Sequence, residues 1–181
     1  MARPAVFLDR DGTLIEDREY LSVPAGVCLL PGVPEGLRRL REAGFALVVA
    51  TNQSGIGRGW MTEADYLRVA AEVDRQLAEH GVALDAVYYC PASPAANSND
   101  EHPDRKPAPG MFLRAARDLD LDLAHSYSVG DSLRDLIAGR SAGCRAGFLV
   151  LTGKRLPESE RNREWHIASD FRAAVEAILH F

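Results

Sequence analysis

The chain has 181 residues, of which 46% are apolar and 26% are charged, and its 21 basic and 26 acidic side chains give a formal net charge of −5. This length suits a single domain, which we expect to span residues 1–181, and the acidic balance argues against a nucleic-acid partner. No apolar stretch approaches the roughly 18 residues of a membrane span, and three widely spaced cysteines favour a reducing compartment, so we expect a cytoplasmic protein without a membrane partner.

Short apolar runs alternate with helical patterns along the whole chain. In chain order the pattern predicts strand 5–8, helix 34–43, strand 45–50, helix 62–81, strand 87–89, helix 111–119, strand 127–129, a helix from 132, strand 148–151, a short strand at 166–167 and helix 171–179. Such alternation is typical of a parallel sheet with helices on both faces. The predicted fold class is therefore a three-layer, Rossmann-like α/β domain.

One segment, 91–109, is rich in turn residues and shows no periodicity. Loops of that length are uncommon in compact domains unless they are functional or disordered. In open parallel sheets, ligands bind beyond the carboxyl ends of the strands. We therefore look for chemistry where the predicted strands end and in this loop.

Polar side chains follow three predicted strands and occupy the long loop. In chain order they are Asp9, Asp11, Thr51, Asn52, Arg105, Lys106, Asp131 and Asp135. Taken singly, each is more typical of turn, cap or solvent-exposed chemistry than of a catalytic site. Because the carboxyl ends of parallel strands meet at one edge of a sheet, we expect these side chains to converge.

The four carboxylates of this set favour a bound divalent cation. Two carboxylates about 5 Å apart repel each other by roughly 3 kcal/mol at an effective dielectric constant near 20. A site of hard oxygen ligands open to substrate indicates Mg²⁺. Zinc would favour His or Cys, and neither residue type occurs at these strand ends.

The same side chains suit phosphoryl transfer. A carboxylate can attack phosphorus and form an acyl phosphate, which divides one difficult step into two easier ones. Lys106, the hydroxyl of Thr51 and the amide of Asn52 would neutralise or bind the phosphate oxygens. A second carboxylic acid can protonate the leaving alkoxide and afterwards deprotonate water.

Four motifs together resemble those of the haloacid-dehalogenase-like (HAD) phosphohydrolases. They are DRDGT at 9–13, TN at 51–52, Lys106, and GDSLRD at 130–135, and they occur in the family's order along nearly the whole chain. The resemblance implies the HAD-like fold and an aspartyl-phosphate mechanism. The fragment between Thr13 and Leu30 is too short for a helical cap, so we expect no separate cap domain.

The resemblance also implies a role for each matching residue. Asp9 would be the nucleophile and Asp11 the general acid and base. Mg²⁺ would be held by Asp9, the main-chain carbonyl of Asp11, and Asp131, with Asp135 as a supporting acidic residue. Thr51 would supply the phosphate-binding hydroxyl.

Longer strings at 8–17, 51–59 and 105–111 are similar to the histidinol-phosphatase-like subfamily, which includes the heptose-bisphosphate phosphatases. This implies a Mg²⁺-dependent phosphomonoesterase that removes the 7-phosphate of a heptose 1,7-bisphosphate in the synthesis of surface polysaccharide. The alternative substrate is histidinol phosphate or another small sugar phosphate. Arg58 and Arg105 would contact the second phosphate or the sugar; their alternative role is a solvated or structural salt bridge.

The long loop departs from the family's pattern. Relatives commonly hold a structural zinc there, and the corresponding positions of this chain are Cys90, Ala92, His102 and Asp104. One ligand is missing and two are replaced, so Cys90, His102 and Asp104 would form only the remnant of a site, and we expect no structural zinc. Ser132 likewise replaces a lysine often found in relatives, which is expected to alter phosphate affinity.

A distant alternative is a non-enzymatic domain that accepts a phosphoryl group on aspartate, as receiver-like signalling domains do. The pairing of Asp9 with Asp11 argues against it, because a switch domain does not need an acid/base partner. We expect the only partner to be a small phosphorylated sugar, and we expect a monomer.

Overall fold

The computed structural model describes residues 2–94, 102–153 and 165–181. Its sheet has six parallel strands in the order β3-β2-β1-β4-β5-β6. The strands are β1 (Ala5–Leu8), β2 (Ala46–Asn52), β3 (Ala86–Cys90), β4 (Tyr127–Gly130), β5 (Ala146–Val150) and β6 (His166–Ala168). The helices are α1 (Val33–Glu42), α2 (Ser54–Gly57), α3 (Glu63–Glu79), α4 (Gly110–Leu119), α5 (Leu133–Ala142) and α6 (Phe171–Leu179).

Both faces of the sheet are covered, which confirms the three-layer α/β prediction. Side chains of a strand alternate between the faces, so Val6 and Leu8 of β1 pack into one apolar cluster with α1, α3 and α6. Ala5 and Phe7 point the other way, into a second cluster with α4. Burial on both faces explains why the central strands are continuous apolar runs.

The predicted elements are present, and their ends shift by a few residues. β2 continues to Asn52, two residues beyond the prediction, because its last residues still pair with β3. The α3 helix begins after a capping box in which Thr62 and Asp65 each accept a main-chain N–H from the other. The short helix α2 was not predicted, since four residues are too few to show a helical period.

The described residues contain no separate cap. Between β1 and α1 the only helical element is a single turn at Pro24–Gly26, and α2 and α3 are the helices between β2 and β3. None of the described helices is long and apolar enough to cross a membrane. The cavity beyond the carboxyl ends of the strands is bordered by loops and by the first turns of α2 and α5.

Candidate active site

The carboxyl ends of β1, β2 and β4 open into a cavity of about 240 Å³. Its lining contains all eight side chains predicted from the strand ends and the long loop, together with Arg58; the eight are Asp9, Asp11, Thr51, Asn52, Arg105, Lys106, Asp131 and Asp135. Strands β2 and β4 flank β1 on either side, so residues far apart in sequence become neighbours at this edge. The predicted convergence is thus seen in the structure.

Lys106 lies at the centre of the charged groups. Its Nζ is 2.8 Å from Asp9 Oδ1 and 2.6 Å from Asp135 Oδ1, and it donates to the Ala50 carbonyl at 2.6 Å. Burial by itself lowers the pKa of Lys106, but the Asp135 and Asp9 carboxylates outweigh burial and raise that pKa. Lys106 therefore remains cationic and places a fixed positive charge beside Asp9.

Asp135 holds the amino group of Lys106 in place. Its Oδ2 accepts the Ser132 main-chain N–H at 3.0 Å in the capping box that begins α5, which leaves Oδ1 for Lys106. Burial raises the pKa of Asp135, while the lysine acts in the opposite direction. A Cβ on Gly130 would lie 2.2 Å from Asp135 Oδ2, so only glycine permits this approach.

An acidic cluster is formed by Asp9, Asp131 and Asp135, whose ligand atoms all lie within 4.8 Å of one another. Over 2–94, 102–153 and 165–181 it is the one such group of three His, Cys, Asp or Glu residues. The donors are all carboxylate oxygens, which fits Mg²⁺. A Cβ on Gly12 or Gly153 would lie 2.6 or 2.0 Å from Asp131 Oδ2, so two glycines allow the chain to close around this carboxylate.

The carboxylate of Asp11 is not part of the acidic cluster and has other partners. Arg10 Nε donates to its Oδ2 at 3.1 Å, Arg10 Nη2 donates to its Oδ1 at 3.0 Å, and Gln53 Nε2 donates to Oδ2 at 2.9 Å. Both oxygens of the side chain are thus engaged by Arg10 and Gln53, and the main-chain carbonyl is left as the group that Asp11 would offer a metal. Sequence reasoning missed Arg10 and Gln53, although both lie inside motifs it identified.

Thr51 and Asn52 at the end of β2 have different surroundings. The Thr51 hydroxyl is buried and accepts from Gln53 Nε2 at 2.9 Å. Both polar atoms of the Asn52 amide bind the main chain of Lys106, so this side chain orients the lysine's segment. The predicted role of Asn52 as a direct phosphate ligand stays a prediction.

Three arginines also line the cavity. Arg58 is exposed and stacks over Trp60, its Cζ 4.8 Å from the ring centre. Arg105 is buried and donates to the Ala92 carbonyl at 2.7 Å. Arg134, which sequence reasoning missed, is exposed and has no carboxylate partner within the described part of the chain. Its position three residues after Asp131 was the available signal.

The suspected zinc remnant lies outside this cavity. Cys90 Sγ is 3.7 Å from His102 Nδ1, but that nitrogen also lies 3.2 Å from the Asp104 main-chain N–H and accepts from it. The Asp104 carboxylate is 2.7 Å from Arg114 Nη1 in an ion pair. Burial raises the pKa of Cys90 and so disfavours its thiolate. Among the described residues, these three do not form a group of ligand atoms that could hold a metal ion.

The HAD-hydrolase-like family model matches residues 104–174, from the loop that carries Lys106 to the start of α6. The chain is 42% identical over 180 residues to a D-glycero-beta-D-manno-heptose-1,7-bisphosphate 7-phosphatase from Yersinia pestis, covering 96% of each chain. It is 44% identical over 170 residues to the protein of the same name from Escherichia coli O6:H1, covering 92% of this chain and 90% of the relative.

Comparison with a solved structure points to the same group of phosphatases as the sequence relatives. The fold matches that of the D,D-heptose 1,7-bisphosphate phosphatase from B. bronchiseptica complexed with magnesium and phosphate, with a TM-score of 0.83, 37% identity and 98% of each chain covered. Identity at this level over nearly the full length of both chains extends well beyond the four short motifs. The HAD-like fold expected from those motifs is thereby confirmed.

Proposed function

Because the chain belongs to the HAD-like hydrolases, in the family of the D-glycero-beta-D-manno-heptose-1,7-bisphosphate 7-phosphatases, we propose that it hydrolyses the 7-phosphate of a heptose 1,7-bisphosphate with Mg²⁺. The observation that carries the proposal is the placement of Lys106 Nζ, 2.8 Å from Asp9 Oδ1 beside the acidic cluster. This arrangement offers a nucleophile, a fixed cation and oxygen ligands around one point. These groups position a phosphoryl group for attack and neutralise the charge on its oxygens.

In the first step, an oxygen of Asp9 attacks phosphorus as the bond from phosphorus to the sugar oxygen breaks. Asp11 gives its proton to the departing sugar oxygen, so the alcohol leaves neutral. Lys106 and the Thr51 hydroxyl bind the phosphoryl oxygens as negative charge moves across them. The product is an acyl phosphate on Asp9 and the free hydroxyl of the sugar.

In the second step, Asp11 takes a proton from a water molecule whose oxygen attacks the same phosphorus. The bond from phosphorus to Asp9 breaks, which restores the carboxylate and releases inorganic phosphate. Asp9, Asp131 and the main-chain carbonyl of Asp11 would hold Mg²⁺, which would supply positive charge to the phosphoryl oxygens. Asp135 contributes by holding Lys106 in place, as its 2.6 Å contact supports.

The exposed arginines of the cavity favour a substrate with a second anionic group. Arg58 and Arg134 border the cavity and have no carboxylate partner within the described residues, whereas Lys106 is paired with carboxylates. Guanidinium groups suit phosphate oxygens because they can donate two parallel hydrogen bonds. We assign these two residues, with Arg105, to the distal phosphate or the sugar. A phosphorylated sugar does not cross membranes, so we place the reaction in the cytoplasm, and we propose a monomer.

The test compares phosphate release by the purified protein with Mg²⁺ on heptose 1,7-bisphosphate, fructose 1,6-bisphosphate and histidinol phosphate. We expect kcat/KM for the heptose to exceed the other two by roughly 100-fold, about 2.7 kcal/mol in transition-state binding. The Asp9→Asn variant serves as the inactive control for contaminating phosphatases. Similar slow turnover of all three substrates would contradict the substrate assignment and leave the phosphatase chemistry standing.

A further inference from the structure

We propose that Arg10 is a positioning residue for the acid/base carboxylate of Asp11, an inference that rests on the proposed phosphatase function. The two residues are neighbours in sequence and form an ion pair just after the carboxyl end of β1. Arg10 acts through Asp11 and sets where the proton is delivered. It therefore determines how well a poor leaving group departs.

Hydrogen bonds from two residues, Arg10 and Gln53, fix the orientation of the Asp11 carboxylate. The guanidinium of Arg10 reaches both oxygens, with Nε 3.1 Å from Oδ2 and Nη2 3.0 Å from Oδ1. Gln53 Nε2 adds a third donor at 2.9 Å from Oδ2, and Gln53 Oε1 accepts from Arg10 Nη2 at 3.2 Å. Three donors on two oxygens define the plane of the carboxylate, which a single point charge would not do.

The guanidinium of Arg10 packs in turn against an aromatic ring. Its Cζ lies 5.3 Å from the ring centre of Tyr66, a residue of α3 that is only 1% exposed. Tyr66 packs in turn against Tyr89 of β3, with ring centres 4.3 Å apart. A cation over an aromatic face is attracted to it, so the Tyr66 ring helps to hold the Arg10 guanidinium in place. Helix α3 thereby supports a carboxylate it does not touch.

Stability alone does not explain this arrangement. Arg10 is 3% exposed, and its Nη1 is buried with no hydrogen-bond partner in the described residues. A buried donor without a partner is unfavourable, and removing an ion pair from water often costs more than the attraction returns. A feature that is costly to the fold and placed against the acid/base group is best accounted for by its effect on the reaction.

The two reacting carboxylates have separate cations. Lys106 contacts Asp9 and Arg10 contacts Asp11, and neither cation is an ion-pair partner of the other carboxylate. Loss of Arg10 therefore leaves the charge beside the nucleophile unchanged. The defect should appear where protonation of the leaving group matters, and not where the leaving group departs unaided.

The experiment compares kcat/KM of the full chain with Mg²⁺ on the heptose bisphosphate and on p-nitrophenyl phosphate. The first substrate leaves as an alkoxide that needs a proton, whereas p-nitrophenolate does not. We expect Arg10→Met to lose roughly 100-fold on the sugar phosphate and less than about 5-fold on the aryl phosphate. An equal loss on both substrates would overturn the proposal, because a general distortion of the site has no reason to distinguish them.

A matched control is Arg39→Met, which removes a two-nitrogen contact between Arg39 and Glu176 that joins α1 to α6 outside the cavity. Its kcat/KM should equal the wild-type value on both substrates. If the wild type hydrolyses fructose 1,6-bisphosphate or another alkyl phosphate instead of the heptose, that substrate takes its place. Failure of the substrate assignment is thereby distinguished from failure of the role of Arg10.

A double-mutant cycle covers the case in which Arg10→Met folds poorly. In an Asp11→Asn background, Arg10→Met should reduce kcat/KM for the sugar phosphate by less than about 3-fold, because the group it positions is already inactive. Arg10→Lys keeps the charge without the fork and should show the same selective loss on the sugar phosphate. Multiplicative losses in the cycle, or full activity of Arg10→Lys, would refute a positioning fork.

Discussion

Asn52 holds the main chain of Lys106 with two hydrogen bonds: Asn52 Nδ2 donates to the Lys106 carbonyl at 2.9 Å, and the Lys106 N–H donates to Asn52 Oδ1 at 3.0 Å. The pairing resembles one rung of a sheet ladder made by a side chain. It ties the end of β2 to the loop before α4, two segments that are 54 residues apart in sequence. The amino group beside the nucleophile therefore depends on an amide that does not itself touch Asp9.

Asn52→Ala removes both of these hydrogen bonds and should displace Lys106 from its position between the carboxylates. We expect kcat to fall by roughly 100-fold, because misplacement by about 1 Å of a group that positions substrate has that effect. The measurement is steady-state kinetics on the preferred sugar phosphate. Asn52→Asp is the companion variant: it keeps an acceptor for the Lys106 N–H, loses the donor to the Lys106 carbonyl and adds a negative charge. Wild-type kcat in Asn52→Ala would contradict the role of the clamp.

Asp9→Asn should abolish turnover and leave the fold intact. An amide cannot form the acyl phosphate, while it has nearly the same shape and can still accept from Lys106 Nζ, which keeps Asp135 as its second partner. We expect no phosphate release above background and an unchanged far-UV circular dichroism spectrum. Substantial remaining activity would show that the nucleophile is misassigned.

Arg134→Gln should weaken binding of a second phosphate specifically. The guanidinium borders the cavity and has no carboxylate partner among residues the structure describes, so a substrate anion is free to take that place. We expect KM for a sugar bisphosphate to rise by roughly 10-fold with kcat nearly unchanged, as loss of a charged hydrogen bond to substrate predicts. For p-nitrophenyl phosphate, which has no second phosphate, KM should not change.

The matched control for that experiment is Arg117→Gln. Arg117 lies on α4, is 73% exposed and pairs with its neighbour Asp118. The Arg117→Gln substitution removes the same charge from the protein without altering the cavity. A similar rise in KM for Arg117→Gln would show that net charge, and not the position of Arg134, governs substrate binding.

Asp85 should make the stability of the fold depend on acid pH. It accepts the Leu47 N–H of β2 at 2.8 Å and pairs with Arg3 and Arg41. Burial by itself raises the pKa of Asp85, but the Leu47 amide and the two arginines outweigh it and hold the pKa below its ordinary value. A carboxyl with a lowered pKa in the folded state stabilises the fold above its unfolded pKa and loses that contribution as pH falls through the folded value.

Asp85→Asn should accordingly lower the free energy of unfolding by roughly 1–2 kcal/mol at pH 7, since the side chain loses its charge while keeping an acceptor. The difference from the wild type should shrink below about pH 4, where the aspartate is protonated in the unfolded chain and becomes protonated in the folded one. Urea denaturation at pH 7 and at pH 3 measures both values. A difference that is equal at the two pH values would exclude the ionised carboxylate as its cause.

Much of the fold could be predicted from local patterns. The helical spacing of apolar residues and the short apolar runs predicted six strands and five of the six helices close to their final positions. This was possible because each of these elements buries a face, and the spacing of the buried residues can be seen in the sequence. Position at a strand end also placed Asp9 and Asp131 at one edge of the sheet. For the expected zinc remnant, the sequence showed only that ligands of the family's pattern are missing or replaced. That Asp104 forms an ion pair with Arg114 was visible only in the structure.

The sequence by itself thus determined the architecture and the kind of chemistry, because both depend on residue types at short range and on strand ends that parallel pairing brings together. Tertiary structure alone decided how the groups are oriented. Gln53 contacts Arg10 across 43 positions and Lys106 reaches Asp9 across 97, and only the packed sheet establishes which atoms meet. Side-chain direction has no local signal in the sequence, so the separate cations of Asp9 and Asp11 became visible only in the folded chain.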